Sequence, residues 1–297
     1  MPDAVIISRF APSPTGRLHL GHAYSAVRAH DLARAAGGQF LLRIEDIDGT
    51  RSRDAFVAGI EEDLAWLGLS WDRQVVRQSA RMPLYAEALG KLQAMGLTYP
   101  CFCTRAEIAA SASAPHGPEG PAYPGICRDL SESERAARIR EPHCWRLDMA
   151  KAVEACTPSP LAEEGFRGLW WHDEFADWIQ ADPLAAGDVV LARKETPTSY
   201  HLAVTVDDAA QGVTNIVRGF DLFEATHIHR LLQALLGLPT PLYHHHPLLI
   251  GPDGKRLAKR NGARPLAELR GEGADPAELL ATLRAGQVPI GVPLTED

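Results

Sequence analysis

The run Arg9-Phe-Ala-Pro-Ser-Pro-Thr-Gly-Arg-Leu-His-Leu-Gly-His22 constrains the fold more than any other part of this sequence. An apolar stretch, Ala4-Val-Ile-Ile7, precedes it and reads as a buried parallel strand. Ala23 to Ala36 follows and reads as a helix stopped by Gly37-Gly38. Two prolines and Gly16 make the joint a stiff, sharply turned loop that neither strand nor helix can cross. Strand, loop and helix N-terminus together form an anion site, because unpaired backbone N–H groups and the helix dipole both favour phosphate.

His19 and His22 stand where that helix begins, with Gly21 between them. Glycine would let a nucleotide lie against the backbone. Two imidazole donors there could hold triphosphate oxygens as charge develops. Read alone, the pair could equally be surface residues or a metal-binding couple. The whole run resembles the first signature of class I aminoacyl-tRNA synthetases, in the form carried by the glutamyl branch. That resemblance implies a Rossmann-like α/β catalytic domain, with Pro12, His19, Gly21 and His22 against ATP and the two histidines catalytic.

The family carries a second signature far downstream. Here Pro247-Leu-Leu-Ile250 reads as a strand and Gly251-Pro-Asp-Gly254 as a turn, followed by Lys255-Arg-Leu-Ala-Lys-Arg260. Arg256 to Arg260 resembles the family's mobile lysine loop. Lys259 matches the catalytic lysine that contacts ATP and grips the leaving pyrophosphate. Ala258 stands where the family has a hydroxyl, and losing one such donor typically costs ~3 kcal/mol.

At 297 residues the chain can bury one large domain with an insertion. No run of eighteen apolar residues occurs and Met1-Pro-Asp carries no signal pattern, so a cytoplasmic protein without a membrane partner is expected. The net charge of −8 is awkward for nucleic acid, whose phosphates need Lys and Arg. Basic residues nevertheless cluster at Arg135, Arg138 and Arg140, and again from Lys255 to Arg264. Such clusters are often merely solvated.

Five cysteines, an odd number in a chain without a secretion signal, argue against a disulfide framework. Cys101-Phe-Cys103 and Cys127 flank a loop rich in Pro, Gly, Ala and Ser, and could join in a structural zinc site or be plain reduced thiols. Tyr123-Pro-Gly-Ile-Cys127 resembles the second half of the family's zinc site. The resemblance implies Cys101, Cys103, Tyr123 and Cys127 as ligands to one structural Zn²⁺, with His116 or His143 as chemical substitutes for the tyrosine.

Along the chain, strand and helix alternate. Gln39–Ile44 reads as a central strand. Ser52 caps a helix to Leu67, and Ser79 caps another with Leu84, Ala88, Leu92 and Met95 on one face. Thr104–Glu107 and Ser131–Glu134 read as capping boxes, on either side of a loop-like stretch from Ala110 to Gly125. The rhythm breaks from Pro100 to Asp188. The expected division is therefore 1–99 and 189–250 for the catalytic domain, 100–188 for an inserted zinc-containing α/β subdomain, and 251–297 for the lysine segment and a short helical end. Strands are expected at Val189–Leu191, Ala203–Val206 and Val213–Val217, a helix at Leu222–Leu236, and a last helix opened by Asp275-Pro276. His244 to His246 reads as a polar-faced strand.

A pocket for glutamate needs guanidinium groups for two carboxylates and an acid for the ammonium. Arg9 and Glu45 lie at inferred strand ends, where ligands of open α/β sheets bind. Ser13 could share the ammonium with Glu45. The resemblance implies Arg9, Ser13, Glu45, Tyr200 and Arg218 as glutamate contacts. Arg43, Glu45, Asp46 and Asp48 could otherwise be a surface ion-pair network, and Tyr200 plain core.

The resemblance runs from Ile6 to about Pro265, and with so short a remainder the family's large anticodon-binding region is not expected here. Arg218-Gly-Phe-Asp-Leu222 is similar to the short branch that acts on queuosine. Its implied partners are ATP with Mg²⁺, L-glutamate and tRNA(Asp) carrying queuosine, for a monomeric enzyme. Charging of the tRNA acceptor end, glutamylation of a small amine or carrier, and a non-catalytic RNA- or nucleotide-binding role remain as alternatives.

Overall fold

The computed structural model describes residues 5–104, 106–108, 123–156, 168–250 and 264–287. Lys255, Arg256, Ala258, Lys259 and Arg260, the turn 251–254, His116 and most of the loop 110–125 lie outside the described residues.

The first half is a parallel β–α unit. β1 (Ile7–Phe10) pairs with β2 (Gln39–Ile44), which pairs with β3 (Val76–Arg77). α1 (Leu20–Ala35) crosses between β1 and β2. Gly37, at φ +64°, turns the chain out of α1. Gly38 then passes so close to Ile6 that a Cβ would sit 2.0 Å from its carbonyl oxygen, so only glycine fits. β1 begins three residues later than Ala4–Ile7 predicts, because the apolar run only leads into the strand and the ladder continues through Ser8 and Arg9.

The second half builds a sheet ordered β7 (Asp177–Gln180), β6 (Trp170–Asp173), β10 (Leu242–His246), β9 (Asn215–Gly219). β6, β10 and β9 run parallel and β7 folds back as a hairpin. The two sheets meet where Thr214 N–H donates to Ile7 O at 2.9 Å and Ile7 N–H donates to Thr214 Oγ1 at 2.8 Å. At that seam the chain after β1 leaves toward β2, and the chain after β9 leaves toward β10. Such a switch point opens a crevice at the C-terminal ends of the strands.

A third, antiparallel sheet orders β4 (Thr98–Cys101), β5 (Cys144–Leu147) and β8 (Val190–Ala192). β8 lies just past residue 188 and pairs with β5, whereas β6 lies before it and pairs with β10.

Ala203–Val206, expected as a strand, lies inside α6 (Tyr200–Ala210), a helix buried on nearly every face. A helix buried all round shows no apolar stripe, and its Val and Thr residues then look like a strand. Pro247–Ile250 is likewise not the strand; the ladder is carried by the histidine-rich Leu242–His246. α2 (Asp54–Trp66) begins after Arg53, and the buried Ser52 hydroxyl has no hydrogen-bond partner among the described residues. Ser79 instead bonds Asp46 within a 3₁₀ turn, and α3 (Met82–Ala94) follows with Tyr85, Ala88, Leu89 and Leu92 inward and Met95 exposed.

Both capping boxes form, at Thr104–Glu107 and at Ser131, which opens α4 (Glu132–Arg138). α5 (Met149–Ala155) follows β5. α7 (Ala225–Leu236) starts after a 3₁₀ turn at Phe220–Leu222 and ends at Gly237, φ +65°. α8 (Leu266–Gly271) and α9 (Pro276–Arg284, capped by Asp275) bury Leu266, Leu269, Leu279 and Leu283 in one core with α1 and β2.

Candidate active site

A cleft of about 500 Å³ opens at the seam. It is lined by Arg9, Pro12, Ser13, His19, Gly21, His22, Glu45, Tyr200 and Arg218, which are all the described residues predicted to hold nucleotide or amino acid. Four stretches that are distant in sequence bring them together: β1 with its following loop and the start of α1, the end of β2, the start of α6, and β9.

The two histidines build the helix start themselves. His19 is the N-cap of α1; its Nδ1 accepts from Gly21 N at 3.1 Å, and His22 Nδ1 accepts from His19 N at 3.2 Å. Because each Nδ1 accepts, each neutral ring carries its proton on Nε2, which makes that nitrogen a donor. The rings lie 3.8 Å apart between centroids. Glu45 N–H donates to Pro12 O at 3.0 Å, which ties the end of β2 to the same loop.

Arg9 and Arg43 are buried and share one acid. Asp208 receives Arg9 Nε and Nη2 at 3.0 and 3.2 Å and Arg43 Nη1 at 2.7 Å. Arg43 also donates to Glu45 at 3.0 Å. The alternative, a surface network of Arg43, Glu45, Asp46 and Asp48, does not form: Arg43, Glu45 and Asp46 have buried side chains, and Asp48 pairs with Arg51 at the surface. Burial, the largest influence, raises the Glu45 carboxyl above its ordinary range, against the pull of Arg43. The same burial raises Tyr200.

Asp207 and Asp208 were not anticipated. The signal was present: an arginine inside the apolar Phe40-Leu-Leu-Arg-Ile44 needs a buried acid, and two adjacent aspartates in an otherwise apolar helix are what supplies it. His245 and His229, which bond Arg218, and Asp173, which bonds His245, were also missed, because the histidine run read only as a polar strand.

Three of the cysteines form a separate centre at the end of β4. The sulfurs of Cys101, Cys103 and Cys127 lie within 4.8 Å of one another, and these three could hold a metal ion. Cys103 and Cys127 are 3.5 Å apart, and the Tyr123 hydroxyl is 3.6 Å from Cys103. Two thiolates on one tetrahedral zinc stand roughly 3.8 Å apart, so this spacing suits such an ion. Tyr123 is buried, accepts from Cys127 N at 2.7 Å and lies under the Arg146 guanidinium. His143 stands outside the group and bonds the Glu141 carbonyl. Cys144, unpredicted, faces Cys101 across the ladder, and its thiol is the main influence pulling Cys101 down to about 4. Of the nearby basic cluster, Arg135 and Arg138 lie over the rings of Tyr99 and Phe102, while Arg140 is exposed.

The sequence matches the family described as tRNA synthetases class I (E and Q), catalytic domain, over residues 5–290. It is 52% identical over 282 residues to a protein of Rhodobacter capsulatus named glutamyl-Q tRNA(Asp) synthetase, covering 92% of this chain and 98% of that protein. A protein of the same name from Symbiobacterium thermophilum is 45% identical over 289 residues, covering 94% of this chain and 85% of its own. Among solved structures, the fold is similar to a glutamate tRNA ligase of Elizabethkingia meningosepticum in complex with its amino acid, with TM-score 0.76 and 26% identity. That alignment covers 94% of this chain and 60% of the ligase, so the chain spans about three-fifths of the ligase's length.

Proposed function

The chain belongs to the class I (E and Q) tRNA synthetase catalytic-domain family, and on that premise we propose that it activates L-glutamate with ATP and transfers it to queuosine at the wobble position of tRNA(Asp). The observation that carries this reading is the convergence of nine residues, chosen from sequence, on one cleft at the sheet's switch point. The relatives' shared name selects the queuosine base over the acceptor end.

In this reading Glu45 and Ser13 take the substrate ammonium, while Arg9, Arg218 and Tyr200 take its carboxylates. The α-carboxylate attacks the α-phosphorus of ATP, giving glutamyl-adenylate and releasing pyrophosphate. The Nε2 protons of His19 and His22 donate to the phosphate oxygens as charge builds, and Lys259 holds the departing pyrophosphate. A ring hydroxyl of queuosine then attacks the activated carbonyl and AMP leaves. Mg²⁺ entering with ATP would neutralise phosphate charge. Cys101, Cys103, Tyr123 and Cys127 would hold one structural Zn²⁺, pinning the insertion without joining the chemistry.

We read 1–99 and 189–250 as the two parts of the catalytic domain, 100–188 as its insertion and 251–297 as the lysine segment with α8 and α9. A monomer in the cytoplasm completes the reading; no helix among the described residues is long and apolar enough to cross a membrane.

Mass spectrometry of digested tRNA after incubation with glutamate and ATP tests the assignment. Glutamate is expected on the queuosine nucleoside. Glutamate on the terminal adenosine would move the activity to the acceptor end, and absence of glutamate-dependent ATP–pyrophosphate exchange by folded protein would remove the enzyme reading.

A further inference from the structure

Arg218 is held differently from the other two arginines beneath the cleft. It is buried, yet among the described residues no carboxylate lies within ion-pair distance of it. Its Nε–H donates to His245 Nε2 at 3.0 Å, Nη1 to His229 Nδ1 at 3.3 Å and to the Tyr200 hydroxyl at 3.4 Å, and Nη2 to Thr226 Oγ1 at 2.6 Å. The guanidinium also lies 5.4 Å from the Tyr243 ring centroid. Arg9 and Arg43, by contrast, share the charge of Asp208.

Arginine has no acceptor, so each imidazole must turn a lone pair toward it. For His245 this puts the proton on Nδ1, where Asp173 Oδ2 accepts at 2.7 Å. For His229 it puts the proton on Nε2, which lies 3.3 Å from His201 Nδ1. Burial first, then the charge of Arg218, holds His245 down to about 4 and His229 well below its ordinary value. Both rings are therefore neutral near pH 7.

Neutral acceptors satisfy the N–H groups of a buried arginine without cancelling its charge. A carboxylate in the same place would neutralise it, and an incoming anion would have to compete for the fork. We propose that His245, oriented by Asp173, and His229 are positioning residues that hold Arg218 by lone pairs alone, so that its charge is kept for a carboxylate of the amino-acid substrate and the pocket prefers glutamate to glutamine. This rests on the reading that the cleft binds glutamate. An amide brings no charge to Arg218, and so gains least from such a pocket.

The test is ATP–pyrophosphate exchange with glutamate, glutamine and ATP titrated separately. His229→Glu places a carboxylate beside Arg218; it is expected to raise KM for glutamate about 30-fold or more and to narrow the preference over glutamine, with KM for ATP nearly unchanged. His229→Gln, a neutral acceptor, should recover most of that loss. Equal behaviour of the two variants, or a parallel rise in KM for ATP, overturns the proposal. Ring-nitrogen NMR of the parent protein gives a reading that no variant can spoil by misfolding: His245 must be protonated on Nδ1, and protonation on Nε2 overturns the proposal. A parent that shows no glutamate-dependent exchange removes the substrate reading beneath it instead.

Discussion

Pro265 forms an isolated antiparallel bridge with His19, and Leu266 N–H donates to Leu18 O at 2.8 Å. On the other side of segment 251–263, Leu249 lines the cleft. The chain therefore leaves from the cleft and returns to the first signature histidine, with Lys259 on the stretch between. Lys259→Ala is expected to slow ATP–pyrophosphate exchange on the order of 100-fold, with KM for glutamate within about twofold of the parent. An unchanged exchange rate would detach this lysine from the reaction.

Asp208 carries two buried guanidinium groups, and removing its charge leaves both undercompensated. Asp208→Asn should cost about 3–5 kcal/mol of stability in denaturant unfolding. A loss below about 1 kcal/mol would mean that water or neighbouring groups replace it.

Glu45 can receive an ammonium only as a carboxylate, and burial raises its pKa. The protonated fraction therefore becomes significant at a higher pH than for an exposed glutamate. KM for glutamate should climb as pH falls from 7 toward 5, while KM for ATP stays nearly level. Glu45→Gln should bind glutamate poorly at every pH and lose that dependence; a parent whose KM ignores pH would take the role from Glu45.

Asp63 lies buried between α2 and α8, 3.0 Å from Arg270, and burial pushes its carboxyl up to about 6. The folded protein then holds this proton more tightly than the unfolded chain does. Its contribution favours folding at low pH and is lost as pH rises through about 6. Thermal melts of Asp63→Asn should compare more favourably with the parent at pH 8 than at pH 5. A difference that does not vary with pH would contradict the raised value.

Cys103→Ser removes one of three clustered thiols. Metal analysis should show about one zinc per parent chain and substantially less in the variant. Transfer to tRNA should suffer more than adenylate formation, because the centre lies at the end of β4 and none of its residues lines the cleft. A stable, metal-free parent would retire the zinc assignment.

Much of this molecule could be read without a structure, because its signals are local. The proline-bounded loop before α1, the capping residues Ser131 and Asp275, and the glycine stop at Gly237 act within one turn of themselves. The β1–loop–α1 unit and its histidines were legible for the same reason, and Arg9, Glu45, Tyr200 and Arg218 could be named from short motifs. Tertiary structure alone decided what those side chains face. Helix α6 was hidden because it is buried all round, so its sequence carries no amphipathic period. The lone pairs around Arg218 come from β10 and α7, and the paired acid beneath Arg9 and Arg43 comes from α6. A buried charge must be satisfied by whichever element the fold packs against it, and neither spacing nor composition records that choice.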